Sequence, residues 1–151
     1  MDLWVKKLLR KKLDLEKFQR PEITIDQAIQ ILEQSQKNKD LIIVGSEKNQ
    51  IVVMIRPTSN WTAEIDVIAD CKGMLTLYKN LKKMEEWFWI AYPTFHRLEM
   101  ITTNEKVVSI CLRYGCEQEG IKKESYVDYN TMKYKNEYMF GILNPNHKME
   151  N

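Results

Sequence analysis

Between His96 and Leu143 the spacing of apolar residues changes character twice, and that order leaves few ways to fold. HRLEMITT is a short apolar run of strand type. Asn104 then opens NEKVVSICLRYG, where Val107, Val108, Cys111 and Leu112 recur at helical spacing. Gly115 supplies a left-handed stop. CEQEGIKKESYVDYN and YKNEYMFGIL follow as a closing antiparallel pair. A strand, a helix with a marked start and stop, and a hairpin must share one sheet.

The residues before His96 extend this pattern. To about Arg20, Leu8, Leu9, Leu13, Leu15 and Phe18 stand among many Lys and Arg residues, which predicts a helix with one apolar stripe after a short strand at Leu3-Trp4-Val5. Its basic residues read either as an arm that docks a membrane, nucleic acid or a partner, or as the solvated face of an ordinary surface helix. Pro21 breaks the segment. Thr24 or Asp26 then caps a second helix carrying Ile25, Ala28, Ile29 and Leu32. LIIVGS and QIVVMIRP, separated by Glu47-Lys48-Asn49, read as a hairpin. In WTAEIDVIAD, Trp61, Ala63, Ile65, Val67 and Ala69 alternate with Thr62, Glu64, Asp66 and Ile68, so one face is apolar and the other carries two carboxylates. From Met74 to Tyr92 the period is helical, with Leu77, Leu81, Met84, Trp87 and Phe88 on one side, and Pro93 ends it.

The order predicts an α+β chain around a central mixed, mostly antiparallel sheet flanked by helices. Residues 1–40 hold the N-terminal helices of the same domain, 41–143 the core, and 144–151 a flexible tail.

Composition narrows the function classes. With 151 residues the chain can bury one core but not two comfortable ones. A formal net charge of +2 gives no global pull towards nucleic acid. No run approaches the roughly 18–20 apolar residues that cross a bilayer, and the basic residues of MDLWVKKLLRKKLDLEKF are not placed as in a secretory signal. Cys71, Cys111 and Cys116 are odd in number and lack ligand spacing, and only His96 and His147 could join them, so no metal site is expected. They read as reduced, mostly buried thiols in a cytoplasmic protein, and the sequon Asn60-Trp61-Thr62 as an accident of composition.

The stretch from Asn104 resembles the C-terminal half of a Gcn5-related N-acetyltransferase (GNAT) domain. There a strand leads to an Asn that opens a helix, the helix ends in a Gly-aromatic pair, and Glu-Gly precedes two closing strands. Gly115-Cys116 stands for the Gly-aromatic pair, and Glu119-Gly120-Ile121-Lys122-Lys123 for the Glu-Gly-x-x-Arg pattern. In element order the resemblance covers about 41–143; it is residue-specific only over the last third of the chain.

The resemblance implies acetyl-CoA as acyl donor, an amine acceptor (small molecule or protein) and direct attack on the thioester. In relatives the loop after the fourth strand, Gln/Arg-x-x-Gly-x-Gly/Ala, binds the pyrophosphate through bare N–H groups at a helix N-terminus. The equivalent residues are Lys72, Gly73, Met74 and Leu75, with Met74 to Leu77 standing where glycines or alanine are usual. Asn104 would cap its helix, reach the pantetheine arm, or both. Glu64 or Asp66 would be the base that takes a proton from the ammonium, against the alternative of a solvated sheet face. Cys111 stands where a Tyr commonly serves as general acid. The aromatic helix 84–92 offers a surface for self-association or a protein partner. The competing expectation is a catalytically inactive GNAT-like domain serving as an assembly component, for example in a bacteriophage virion, which the Lys/Asn/Ile-rich composition would suit.

Overall fold

The computed structural model describes residues 1–15 and 22–147. Four helices and six strands follow in the order α1 (Leu3–Leu15), α2 (Ile25–Lys37), β1 (Ile42–Ser46), β2 (Ile51–Pro57), β3 (Thr62–Ala69), α3 (Met74–Ala91), β4 (Arg97–Thr102), α4 (Glu105–Tyr114), β5 (Glu117–Asp128) and β6 (Lys133–Leu143). The strands form one mixed sheet in the order β1-β2-β3-β4-β6-β5. This is the α+β arrangement that the alternation of periods predicts.

The chain divides into two compact units, Met1–Pro57 with Ile65–Phe88, and Thr58–Glu64 with the chain from Trp89 onward. β3 passes from one to the other between Glu64 and Ile65.

In the first unit, Val5, Leu8, Leu9, Ile29, Leu41, Val52, Met54 and Ile68 form a buried cluster, with Trp4, Leu13, Ile25 and Leu32 packed against it. The residues Leu3-Trp4-Val5 are helical, not a strand. Trp4 stands four residues before Leu8, and Val5 four before Leu9, so all four share the stripe packed into this cluster, and tertiary burial overrides β propensity. Phe18 and the break at Pro21 lie outside the described residues. α2 starts at Thr24, whose hydroxyl accepts from Gln27 N–H while the Gln27 side chain accepts from Thr24 N–H, a full capping box. β1 and β2 pair antiparallel from Ile42↔Ile55 to Ser46↔Ile51 around the predicted turn.

Four of the five basic residues of α1 are engaged inside this unit. Lys6 pairs with Glu33, Arg10 with Asp26 at 2.5 Å, and Lys11 with Asp70 at 2.5 Å, while Lys12 Nζ lies 4.0 Å from Asp66. The Lys6 ammonium holds the Glu33 carboxyl below its ordinary range.

Two details of the predicted alternation change. Ile68, on the face assigned to polar residues, is buried in the cluster, because α1 and α2 cover that end of β3. On α3, Leu77 and Phe88 are buried as the stripe requires, but Trp87 is 44% exposed and Trp89 is buried in its place.

In the second unit, β3 and β4 pair in parallel at Thr62↔Arg97, Ala63↔Leu98 and Glu64↔Glu99. β4 pairs antiparallel with β6 from Arg97↔Leu143 to Thr102↔Tyr138, and β6 with β5, whose register shifts twice. At the second shift Glu124 adopts a left-handed φ of 50°, and its N–H donates to Asn136 Oδ1 at 2.9 Å. Asn144, just past β6, is buried; its N–H donates to His96 O and its side-chain amide to Phe95 O, at 2.8 and 3.0 Å.

Candidate functional site

The helix starts decide which backbone groups remain available to a ligand. The first N–H groups of any helix lack intrahelical partners. At α4 the sequence fills this need: Asn104 Oδ1 accepts from Lys106 N–H at 3.0 Å, and Asn104 N–H donates to Thr102 Oγ1 at 3.1 Å. Asn104 is therefore an N-cap, as the alternation between strand and helix demands. Its Oδ1 is used, and Nδ2 is the atom left to donate outward.

At α3 the need is not filled. Gly73 sits immediately before Met74 with φ of 86°, a left-handed conformation that side chains disfavour, and its carbonyl accepts from Leu77 N–H. Among the described residues no side chain accepts from the N–H groups of Met74, Leu75 or Thr76. Nothing lies within 4 Å of where a Gly73 side chain would begin. Met74 and Leu75 do not fill the loop with their side chains: they are 40% and 66% exposed, and the inward turn of the helix begins at Leu77. Lys72 is exposed beside them. A start of this kind offers open donors and the positive end of a helix dipole, with a cation adjacent, which is the chemistry of phosphate binding.

The two candidate bases differ in their surroundings. Asp66, in the first unit, is 66% exposed and stands near the Lys12 ammonium. Glu64, in the second unit, is half-buried on the last rung of the β3–β4 ladder. It has no hydrogen-bond or ion-pair partner among the described residues. Its register neighbour Glu99 is already occupied, accepting from Arg97 Nε at 2.7 Å.

Arg97 is the residue that sequence reasoning missed. Its guanidinium also meets both carboxylate oxygens of Glu119, with Nη1–Oε1 at 2.9 Å. Glu119 and Glu99 hold the Arg97 pKa above its ordinary value, and Arg97 lowers that of Glu119. The pair spans β6 at Gly141: a side chain there would collide with the Glu119 carboxylate and come within 3.1 Å of Arg97 Nη2. No local pattern announces this, since the partners are joined by strand order alone. The Glu-Gly dipeptide was the one available trace.

Among the described residues no group of three or more His, Cys, Asp or Glu side chains converges as metal ligands would, and no helix is long and apolar enough to cross a membrane.

No known family model matches the chain, and no curated protein does. Solved structures do. One is a spermidine N-acetyltransferase from Vibrio cholerae in complex with CoA and spermine, similar at a TM-score of 0.71 and 14% identity over 93% of this chain and 88% of that one. Another is an acetyltransferase of the GNAT family from Streptococcus pneumoniae, at 0.59 and 16% over 82% and 79%. The fold is that of the GNAT acetyltransferases. A third GNAT-fold neighbour is the microcin C7 self-immunity acetyltransferase in complex with acetyl-CoA and AMP, at 0.67 and 16% over 92% and 84%. Likeness at this identity speaks for the fold.

Proposed function

We propose that this chain is an acetyl-CoA-dependent N-acetyltransferase whose acceptor is an amine and whose general base is Glu64. The observation that carries the reading is the open start of α3. Amides without side-chain acceptors follow a left-handed glycine, beside Lys72, in a fold whose solved neighbours include proteins in complex with CoA or acetyl-CoA. The residues fit the group: Met74 and Leu75 turn outward, so the departure from the glycine-rich pattern leaves the N–H groups uncovered.

Acetyl-CoA would supply an acyl carbonyl activated as a thioester. The chain's own part is binding and proton management. In the first unit, Lys72 and the N–H groups of Met74 and Leu75 would hold the phosphates; in the second, Asn104 keeps Oδ1 in its cap, and its side-chain amide would be the group offered to the pantetheine arm. Glu64 takes the proton that an ammonium must lose before it attacks. Asp66, drawn to Lys12, is assigned to the surface charge pattern of α1 and β3. The acceptor is a small molecule or a protein N-terminus or lysine, and the compartment is the cytoplasm. Exposed Trp87 and Ile90 support a protein contact through helix 84–92.

A thermal-shift titration with acetyl-CoA tests this. Saturable stabilisation, growing to about 2.7 kcal/mol at a hundredfold excess over the dissociation constant, is expected. No shift at millimolar ligand would overturn the enzymatic reading in favour of a catalytically inactive assembly component, the virion type included.

A further inference from the structure

α4 ends in a Schellman turn. Gly115, at φ of 105°, donates its N–H to Leu112 O at 3.2 Å, and Cys116 donates its N–H to Cys111 O at 3.0 Å. This pair of bonds brings the side chains at the two ends of the turn against each other, usually as an apolar contact. Here both ends are cysteines. The turn sets the Cys116 side chain towards that of Cys111, and the Cys111 thiol donates to Met100 Sδ on β4 at 3.4 Å. Cys111 is only 4% exposed, whereas Cys116 is half-buried. The pair thus has an inner sulfur and an outer one that a small reagent reaches. The neighbouring Cys116 side chain lowers the Cys111 pKa from its ordinary value, against burial, which raises it.

We propose that Cys111 and Cys116 form a reversible dithiol–disulfide site that a hydroperoxide oxidises. The outer Cys116 thiolate attacks the peroxide oxygen: an S–O bond forms, the O–O bond breaks, and the leaving oxygen takes a proton to depart as water or alcohol. The Cys111 thiolate then attacks the Cys116 sulfenic sulfur, forming the S–S bond and releasing hydroxide, which is protonated to water. The two thiols lose two protons and two electrons, and the hydroperoxide is reduced by the same two electrons. An external dithiol reverses the change by becoming a disulfide itself. The main-chain bond between the two cysteines already holds their backbones together, so closure locks the end of α4 without unwinding it. The site is independent of the acyltransfer reading, and Cys71, which has no thiol neighbour among the described residues, serves as an internal control.

The test uses the full chain, reduced, freed of reductant and treated with hydrogen peroxide. It is then alkylated in denaturant and digested with trypsin. Arg113 lies between the two cysteines, so cleavage puts them on separate peptides that only a disulfide can hold together. The expected result is a chain lighter by two hydrogens, with the 107–113 and 114–122 peptides linked, Cys71 alkylated, and the link lost on reduction. Cys116→Ser should give no linked pair. Alkylation of all three cysteines at peroxide doses that oxidise free thiols would overturn the proposal. So would oxygen gained at Met100 with both thiols intact, or disulfides through Cys71 alone. The decisive readout is on the unsubstituted chain, so a variant that misfolds does not blunt it.

Discussion

Helices α3 and α4 begin in opposite ways. α4 is closed at both ends by its own sequence: Asn104 caps it, Glu105 sits in its first turn, and Gly115 stops it. α3 has a glycine in place of a capping side chain, no acid in its first turn, and a lysine just before it. A helix whose end groups are satisfied internally needs no anion at its start. A helix that leaves them open, next to a positive charge, is less stable by itself and gains from an anion. The contrast leaves the backbone at the start of α4 closed and that at the start of α3 open.

The largest effect expected from this division is on rate. Glu64→Gln should lower turnover by about 10²–10⁴-fold with the binding of acetyl-CoA retained, while Asp66→Asn should change it by less than about 3-fold. Comparable losses in the two variants, measured by steady-state kinetics with a primary amine, would break the distinction drawn between the carboxylates. Next in size is Gly73→Trp, which places a bulky side chain and a strained φ before the open amides. Stabilisation by acetyl-CoA, about 2.7 kcal/mol at a hundredfold excess for the parent chain, should vanish. Persistence of the shift would move the cradle elsewhere. Asn104→Ala sharpens the other side of the contrast: unfolding in denaturant should show a loss of about 1 kcal/mol, the usual cost of removing a cap.

The smallest effect concerns Glu119. Its pKa is lowered in the folded chain by Arg97, so its contribution to stability is present above the unfolded carboxylate value and is lost as pH falls through the folded one. Glu119→Gln should therefore be less stable than the parent by roughly 1 kcal/mol at neutral pH. The two should converge as pH falls through the lowered folded value. A difference that is constant across the acid range would show that packing, not the ion pair, is what the substitution removes.

Legibility from sequence followed the range of the interactions. The cap at Asn104, the stop at Gly115, the box at Thr24 and the β1–β2 turn are local, and each residue type announces its own hydrogen bond. Leu3-Trp4-Val5 misled because three β-tolerant residues carry no record of the α2 stripe they meet. Ile68 was placed on a polar face because alternation describes a sheet covered on one side, whereas α1 and α2 cover that end of β3. At the site, the chain order gave Gly73 as a helix start but not its φ or the outward turn of Met74 and Leu75. Nothing in the spacing separated Glu64 from Asp66, since Lys12 approaches only through tertiary packing. Arg97 with Glu119, and Cys111 with Cys116, needed strand order and turn geometry that pairwise spacing does not encode.

The bridge from Arg97 to Glu119 makes an empty position on β6 the keystone of an arch. A side chain at 141 would meet the far end of Glu119, so the carboxylate would have to shift against the guanidinium. That glycine's importance lies in the volume it leaves vacant. Gly141→Ala should therefore cost about as much as losing the bridge, roughly 1 kcal/mol, although the glycine supplies no group to the chemistry.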